Sequence, residues 1–453
     1  MLKSDLKYDR SSERECLESD FKRLYPLHRS ITGDGLRSSL DIVGETIPLR
    51  RVEVPSGSTA FDWTVPPEWV VHAAYVIRPD GERILDIRDH NLYLLNYSEP
   101  FQGVVSKSEL DKHLYSRPDI PDAIPYAISY YERQWGFCIP HSQREALPDG
   151  DYTVVIDTEF LEGSLSYGDC VLPGETEDEI LFSSFLCHPQ MASHELSGPL
   201  LLTALYERLR QKQNRRFTYR FYFGPETIGT ICYLQEVGQH LKKSLKAGLI
   251  VTCAGDRGAF SYKRSAVGNG LLDRLVPIVA KEFDDSEGPL RIHSFEPIGS
   301  DERQYSSPGF NLSVGAFGRS LFGTFPEYHT SLDNEDVIDF NKIQIGVDFL
   351  ERVCESLDAN IVYQRTEPHC EPQLSKHPNL YPTIGGLEPT QDRKRAMMWM
   401  LNRANGTQDL IDIAETSGLS MQSILQAAKT CLEHALIVPC ETKHSSFDHS
   451  TPN

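Results

Sequence analysis

The sequence has no long hydrophobic run, and it has far fewer basic than acidic residues. No apolar segment approaches the roughly 20 residues that a helix needs to cross a bilayer. The chain contains 45 lysines and arginines against 65 aspartates and glutamates, which gives a net charge of −20 at pH 7. A charge of this sign opposes non-specific binding to nucleic acid and to anionic membranes. We therefore expect neither a membrane nor a nucleic acid among the partners of this protein.

Several motifs that mark other protein classes are also missing. The ten cysteines include no CxxC pair, which disfavours both a disulfide framework and a structural zinc knuckle. The opening segment MLKSDLKYDRSSERECLESDF is charged throughout and lacks the apolar core of a secretion signal. No phosphate-binding loop, GxSxG elbow or Cys/His/Asn triad is apparent. These absences predict a cytoplasmic protein whose thiols are reduced.

The chain of 453 residues exceeds the length that one hydrophobic core normally supports, so we expect two or three domains. Residues 1–60, a helical opening, and residues 161–357 are predicted to form one α/β domain. Residues 61–160 contain short β-branched stretches separated by Pro, Gly and Asp, which predict a small β-rich inserted domain. Residues 358–392 are Pro-rich and are interpreted as a linker. Residues 393–440 contain three helical patterns, which predict a winged-helix-like module.

Four apolar stretches supply the predicted strands of the α/β domain. They are EILFSSFLCH, FTYRFYFGP, AGLIVTCAG and FNLSVGAF. Helical patterns such as GPLLLTALYERLRQ, with apolar residues on one face, alternate with them. This alternation predicts an α/β fold with a mixed, mostly parallel sheet flanked by helices.

Residues that can bind a metal or exchange a proton lie at the ends of these strands. In chain order they are His188, Glu226, Asp256, the pair Asp301 and Glu302, and the pair His329 and Asp333. In open α/β sheets, ligands bind at the edge where parallel strands end, so we expect several of these side chains to converge. Imidazoles and carboxylates together suit a catalytic zinc, which keeps three protein ligands and an open position for water. The sequence therefore predicts zinc as the cofactor.

The segments CHPQMASHELSGP, GPETIGTICYL, SDERQY and PEYHTSLDN resemble the metal-site motifs of the zinc aminopeptidase and glutaminyl cyclase superfamily. The similarity is greatest to a bacterial branch with an aminopeptidase-like domain, and it covers most of the chain. For this chain the resemblance implies a zinc-aminopeptidase-like fold, a protease-associated-like β insert and a C-terminal winged helix. It also implies that the insert forms a wall over the active site and limits the size of the substrate.

The resemblance assigns roles to four of the strand-end residues. His188 matches the first metal histidine of the family, Glu226 matches an acid of its Glu-Glu pair, and His329 matches the histidine of its His-Thr-x-x-Asp segment. Asp301 matches an active-site aspartate that forms hydrogen bonds near the reacting groups in the related cyclases.

The chain departs from the family pattern at several positions. His194 stands where the metal-bridging aspartate is expected, with Glu195 beside it as the alternative. Gln190 replaces the aspartate that orients the first histidine, and Pro225 replaces one of the paired glutamates. In the third strand Thr252 takes the place of an aspartate, and the candidate ligand Asp256 follows four residues later.

These departures indicate one metal ion rather than two. In one interpretation, His188 or His194 holds a single zinc together with Glu226 and His329, and Asp301 or Glu302 is the general base. In the other, the site is a relic or has been adapted to a reaction other than peptide hydrolysis.

The leading hypothesis is a zinc-dependent hydrolase of an amide bond in a small peptide or aminoacyl substrate. One alternative is a biosynthetic enzyme that uses the same site to hydrolyse, transfer or cyclise an amide in a natural-product or polysaccharide pathway. Another is a noncatalytic regulator that senses a ligand and binds DNA. The third helix of the C-terminal module offers only Lys429 as a cation, offset by Glu433, so a structural or dimerisation role is favoured there. We expect a homo-oligomer.

Overall fold

The structure is a computed structural model that describes residues 9–283, 286–377, 380 and 389–440, without the side chains of residues 389–392. The chain divides into two compact units. One contains the described residues up to 273 and residues 286–351, and the other contains residues 274–283 and the described residues from 352 onward.

The helices are α1 Arg10–Leu24, α2 Asp34–Gly44, α3 Lys107–Leu110, α4 His141–Glu145, α5 Ser197–Arg210, α6 Ile228–Ser244, α7 Leu271–Ala280, α8 Glu302–Tyr305, α9 Phe340–Asp358, α10 Pro389–Arg403, α11 Leu410–Ser417 and α12 Met421–Glu433. The strands are β1 Arg50–Pro55, β2 Thr59–Ala60, β3 Trp63–Thr64, β4 Glu68–Ile77, β5 Arg83–Ile84, β6 Phe101–Ser106, β7 Leu114–Tyr115, β8 Phe137–Cys138, β9 Asp151–Leu161, β10 Ser164–Leu172, β11 Glu179–Phe185, β12 Thr218–Gly224, β13 Leu245–Val251, β14 Ser261–Lys263, β15 Arg291–His293, β16 Val314–Gly318, β17 Val362–Arg365, β18 Asn405–Asp409 and β19 Ile437–Pro439.

The largest sheet has eight strands in the order β1-β10-β12-β11-β13-β16-β14-β15. Its four central strands, β12, β11, β13 and β16, are parallel to one another. On the outer sides, β1 and β10 pair antiparallel, β10 is antiparallel to β12, and β14 is antiparallel to β16. This arrangement confirms the predicted α/β fold class with a mixed, mostly parallel sheet.

The four strands predicted from apolar stretches are the four central strands of this sheet. Every residue of β11 and of β12 is buried. Strands covered by helices on both faces have near-continuous apolar sequences, which is why they could be recognised without an alternating pattern. Because these strands are parallel, the loops that follow them meet at one edge of the sheet.

Residues 61–160 contain the predicted β-rich part of the chain. Strands β5, β4, β9 and β6 form a four-stranded antiparallel sheet in that order. Burial alternates along β9, so that one face of this sheet packs inward and the other faces solvent. The insert boundaries at residues 61 and 160 stay predictions.

Strands β1 and β17 lie in segments for which the sequence predicted no strand. Strand β1 falls in the opening segment expected to be helical, and it pairs with β10 at the edge of the large sheet. Its exposed positions are mostly charged, as is usual for edge strands, and this obscures the apolar alternation. Strand β17 falls in residues 358–392, interpreted as a linker, and pairs with β18 and β19. Four residues give too short a pattern to stand out beside the surrounding prolines.

The C-terminal segment has the order α10, β18, α11, α12 and β19, and its strands complete the sheet β18-β17-β19. This confirms the winged-helix-like module. Asn405 and Gly406 begin β18, and Gly418 ends α11 in the left-handed conformation. None of the helices in the described ranges is long and apolar enough to span a membrane.

Helix α5 approaches β13 closely through Gly198. A Cβ atom at this position would collide with the carbonyl oxygen of Val251 and with the hydroxyl of Ser184. That hydroxyl donates a 2.7 Å hydrogen bond to the same carbonyl, so the two obstacles belong to one buried contact. A residue larger than glycine would therefore push the beginning of α5 away from the sheet.

We expect Gly198→Ala to lower the free energy of unfolding by about 2 kcal/mol, because overpacking in a dense core forces the backbone to shift. Urea unfolding measures the effect. Gly44→Ala is the matched control, since a Cβ at the end of α2 would meet nothing within 4 Å. Equal stability of the two variants would contradict the close approach at Gly198.

Candidate metal centre

Four loops at the carboxyl edge of the central strands carry the predicted site residues. His188 follows β11, Glu226 follows β12, and His329 lies in the loop after β16. His194 and Glu195 lie in a single π-helical turn, Ala192–Leu196, directly before α5. Residues distant in sequence are thus brought to one place by the parallel strand order.

Three imidazoles form the centre of this edge. One ligand nitrogen from each of His188, His194 and His329 lies within 4.8 Å of the other two. The ring centroid of His194 lies 4.7 Å from the centroid of each of the other two rings. The ring centroids of His188 and His329 are 5.3 Å apart. The Nε2 atoms of His194 and His329 are 3.1 Å apart. The structure therefore brings together three of the five predicted metal ligands.

Glu195 orients His188. Its Oε2 lies 2.6 Å from Nδ1 of His188, and its Oε1 accepts a 3.0 Å hydrogen bond from the His188 backbone N–H. The Cys187 backbone N–H also donates to Oε1. A carboxylate on one ring nitrogen fixes the tautomer and leaves the other nitrogen free for a metal. The orienting carboxylate that Gln190 cannot provide is thus supplied by Glu195, and His194 is the residue whose ring joins the cluster.

His194 is held by Asp333 and Cys253. The two carboxylate oxygens of Asp333 accept hydrogen bonds from the backbone N–H groups of Ser193 and His194, at 2.7 and 2.9 Å. Burial raises the pKa of Asp333 to about 7, although these backbone donors oppose the shift. Nδ1 of His194 lies 3.4 Å from Sγ of Cys253, so its Nε2 faces the cluster. The turn and the ring of His194 are therefore fixed separately.

His329 has a left-handed backbone, with φ of 58°. Its carbonyl accepts a 2.9 Å hydrogen bond from the backbone N–H of Tyr126, and the Tyr328 ring stacks on its imidazole at 4.0 Å. The Tyr126 ring meets the rings of both His188 and His329, at 5.1 and 5.4 Å. Tyr126 belongs to the β-rich part of the chain, so that part contributes one side of the centre.

Left-handed residues other than glycine occur in all four loops. They are Gln190 after β11, Thr227 after β12, Cys253 after β13 and His329 after β16. Such conformations are strained by about 1–3 kcal/mol each, and they persist where the surrounding contacts enforce them.

Burial keeps two of the imidazoles neutral. It lowers the pKa of His194 well below its usual value, and it lowers the pKa of His329 to about 3, with the neighbouring His188 adding to both shifts. At His188, burial lowers the pKa, but Cys187 and Glu195 outweigh it and raise the pKa above its usual value. Metals bind neutral imidazole, so the lowered pKa values favour ligation over protonation.

Glu226 lies beside the three imidazoles but is not a member of the group. Its Oε2 is 3.7 Å from Nε2 of His188, and its Oε1 accepts a 2.7 Å hydrogen bond from the hydroxyl of Ser300. Burial raises the pKa of this carboxyl, and His188 and Ser300 oppose the shift. A carboxyl with a raised pKa next to a metal site is suited to accept a proton.

The two predicted catalytic acids, Asp301 and Glu302, make other contacts. Asp301 accepts hydrogen bonds from the backbone N–H of Thr227 at 2.7 Å and from the hydroxyl of Thr230 at 2.8 Å. Burial, and then the charge of Glu226, raise its pKa to about 8. Oε1 of Glu302 forms a 2.7 Å ion pair with Lys263. These carboxyls hold the protein chain in place, which differs from the general-base role predicted for them.

Lys263 and Ser300 are residues that the sequence reasoning missed. Lys263 also donates to the carbonyl oxygens of Glu296 and Ile298, so it fixes the segment that leads to Ser300. The backbone N–H of Ser300 donates to Glu302, and its hydroxyl donates to Glu226. No sequence signal links a lysine in β14 to this loop, because the contact depends on the antiparallel pairing of β14 with β16.

Asp256, the fifth predicted ligand, is not in the imidazole group. Its carboxylate accepts hydrogen bonds from the backbone N–H groups of Gly258 and Ser320 and from the Ser320 hydroxyl, at 2.6, 3.1 and 2.8 Å. It lies after β13 as predicted, but its side chain closes a loop. Asp256 therefore lies outside the group formed by the three imidazoles, and its role as a metal ligand stays a prediction.

The donor set fits a zinc ion. In a tetrahedral site with zinc–nitrogen bonds of about 2.0–2.1 Å, two ligand nitrogens lie about 3.3 Å apart. The 3.1 Å between the Nε2 atoms of His194 and His329 is close to this value. Three imidazole ligands leave one position of a tetrahedron for water, which is the ligand count of a catalytic site.

Comparison with known proteins identifies the family of this chain. A family model described as a domain of unknown function, DUF4910, matches residues 19–360. The chain belongs to the DUF4910 family. A second model, for a winged helix-turn-helix, matches residues 361–439, which includes β17.

Relatives of this DUF4910 chain have an aminopeptidase-like fold. A protein of Clostridium acetobutylicum, provisionally named a polysaccharide biosynthesis protein with an aminopeptidase-like domain, is 40% identical over 407 residues, which cover 90% of this chain and 92% of the relative. A crystal structure from the same organism, described as that of a provisional peptidase, is 38% identical with a TM-score of 0.87, covering 95% of this chain and 98% of that chain. The zinc aminopeptidase BSAP of Bacillus subtilis is 12% identical with a TM-score of 0.56, covering 77% and 94%. The predicted resemblance is confirmed at the level of the fold.

We expect Glu195→Gln to weaken Zn²⁺ binding by about 10- to 100-fold, because the amide cannot both accept from the two backbone N–H groups and hold His188 as a carboxylate does. Competition with a chromophoric chelator measures the affinity. Glu207→Gln, on the partly exposed side of α5, is the control with the same chemical change. Unchanged affinity in the Glu195 variant would contradict the orienting role.

Proposed function

We propose that this protein is a zinc-dependent hydrolase of an amide bond in a small peptide-like or aminoacyl substrate, with a single metal ion. The observation that carries the proposal is the convergence of His188, His194 and His329, with the Glu226 carboxylate beside them. The description of the 38% identical structure as a peptidase supports the same reaction class.

Zinc bound by the three imidazoles would polarise the amide carbonyl and lower the pKa of its water to near neutrality. The protein residues have separate tasks around that chemistry. Glu195 accepts the hydrogen bond of His188 Nδ1–H, which leaves Nε2 as the donor atom for the metal. At His194, Sγ of Cys253 lies beside Nδ1, which leaves Nε2 as the donor atom for the metal. Asp333 accepts a hydrogen bond from the backbone N–H of the same residue.

Glu226 is the proposed general base. Its Oε1 is held by the Ser300 hydroxyl, so Oε2 is the atom directed at the cluster and the one that would receive a proton. The same carboxyl could then give that proton to the leaving amine. This proposal replaces the earlier choice between Asp301 and Glu302, which are positioning residues: Asp301 fixes the Thr227 backbone next to Glu226, and Glu302 with Lys263 fixes Ser300.

A biosynthetic use of the same amide chemistry is the second candidate. It is favoured by the name of the 40% identical relative, which assigns that protein to polysaccharide biosynthesis. Under this proposal the residues and the metal keep the same tasks, and the substrate comes from a polysaccharide pathway.

A regulator that binds DNA is the least supported alternative. Helix α12, in the place of a recognition helix, carries Lys429 as its cation and Glu433 as its anion. Binding to phosphates requires several cations on one surface, so we propose a structural role for this module. A salt-dependent gel shift with duplex DNA would contradict it.

We expect untagged protein, purified without chelators, to contain about one equivalent of zinc by mass spectrometry of metals. His194→Ala and His329→Ala should each lose most of it, because two imidazoles hold zinc poorly. His72→Ala, which removes an exposed histidine of β4, is the control and should keep the metal. Metal-free wild-type protein that gains no activity with zinc would overturn the proposal.

Glu226→Gln should retain zinc and lose amide hydrolysis by a factor of about 10² to 10⁴, because the metal ligands remain while the proton acceptor is removed. Turnover of a panel of aminoacyl and acyl amides and metal content are measured on the same preparation. Loss of the metal in this variant would show that Glu226 is a ligand, and unchanged turnover would show that it takes no part in catalysis.

A further inference from the structure

A cavity of about 890 Å³ opens at the β-rich part of the chain. Its walls come from the hairpin of β2 and β3, from the segment around residues 130–133 and from the end of β9. A volume of this size is typical of sites for small ligands, which are usually about 300–1,000 Å³.

Two aromatic rings in this cavity remain exposed. The side chains of Trp63 and Tyr131 are 36% and 55% exposed, and their ring centroids lie 5.7 Å apart in an edge arrangement. Trp69 and Phe137 of the β-rich part are buried in its core, whereas these two rings are not. Large aromatic side chains held open to solvent in a concave site are suited to ligand contact.

The polar groups of the cavity have both signs. Asp62 and Glu162 line it together with Arg133, whose guanidinium lies 3.8 Å from the centroid of the Phe160 ring. A cationic ligand would meet a guanidinium, and an anionic ligand would meet two carboxylates. A neutral ligand with many hydroxyl groups can donate to the carboxylates and accept from the guanidinium.

The cavity is linked to the metal centre by two tyrosines. Tyr130 lines the cavity, and its hydroxyl lies 2.6 Å from the hydroxyl of Tyr126. The ring of Tyr126 contacts the imidazoles of His188 and His329. A ligand in the cavity is therefore separated from the imidazoles by this tyrosine pair.

We infer that this cavity binds the sugar of an amide-bearing saccharide. The C–H faces of a pyranose ring pack on aromatic rings, here those of Trp63 and Tyr131, while its hydroxyl groups match the mixed charges of Asp62, Glu162 and Arg133. Recognition of the sugar rests on the cavity alone. The step in which its amide is hydrolysed to an amine and a carboxylic acid rests on the proposed function.

The test of recognition is a titration of the full-length protein with N-acetylglucosamine and its β-1,4-linked dimer, followed by calorimetry and by tryptophan fluorescence. We expect saturable binding, and a loss in affinity of about tenfold or more in Trp63→Ala and in Tyr131→Ala. Phe61→Ala is the matched control, because this exposed aromatic residue lies on the same hairpin and is not among the lining residues. It should bind as wild type does.

A second measurement separates this inference from the hydrolase proposal. His194→Ala, which should lack zinc, is expected to bind the sugars with wild-type affinity, because the cavity does not include the imidazoles. With zinc present, Trp63→Ala should raise KM for an N-acylated amino sugar by about tenfold, whereas Phe61→Ala should leave that KM unchanged.

Failure of both sugars to bind, or an equal loss in Phe61→Ala, would overturn the inference. Binding of a lysine-rich peptide in place of the sugars would also overturn it. Sugar binding without any amide hydrolysis would support the inference that the cavity recognises sugars. It would contradict only the proposal that the protein is a hydrolase.

Discussion

The candidate metal centre depends on one buried carboxylate, that of Glu195. This side chain is fully buried, and it joins the imidazole of His188 to the backbone of the loop after β11. An isolated carboxylate would be costly at this depth. It is tolerated because two backbone N–H groups and an imidazole N–H surround it, and because the buried Arg29 lies nearby, donating to the carbonyl of His188. The segment before β1 is therefore part of the same arrangement as the strand ends.

Much of this arrangement could be predicted from the sequence. The central strands have continuous apolar patterns, and parallel strands bring their following loops to one edge, so His188, Glu226 and His329 could be expected together. The roles of His194 and Glu195 could not be assigned, because a residue in a π-helical turn does not follow the angular spacing of an α-helix. The structure directs the imidazole of one to the cluster and the carboxylate of the other to His188.

The acids near Glu226 show a different limit to what can be predicted from the sequence. Asp301 and Glu302 stand in the expected loop, but their partners decide their roles, and those partners come from other elements. Thr230 belongs to α6 and Lys263 to β14, at sequence distances of 71 and 39 residues. A pattern of residue types cannot reveal such pairs without the fold. The same holds for the exposed rings of the β-rich part, because whether an aromatic ring is core or surface depends on which face of its hairpin is covered. Localisation and oligomeric state stay predictions.

The left-handed residues in the four loops have a consequence for how the protein acts on a substrate. Contacts within the chain impose this strain, since the sheet, the π-helical turn and Asp333 hold the loops. Little rearrangement is then left for the moment of binding, and the side chains stand ready in advance. The centre is therefore preorganised. Relaxed loops would raise the folding stability at the expense of this preorganisation.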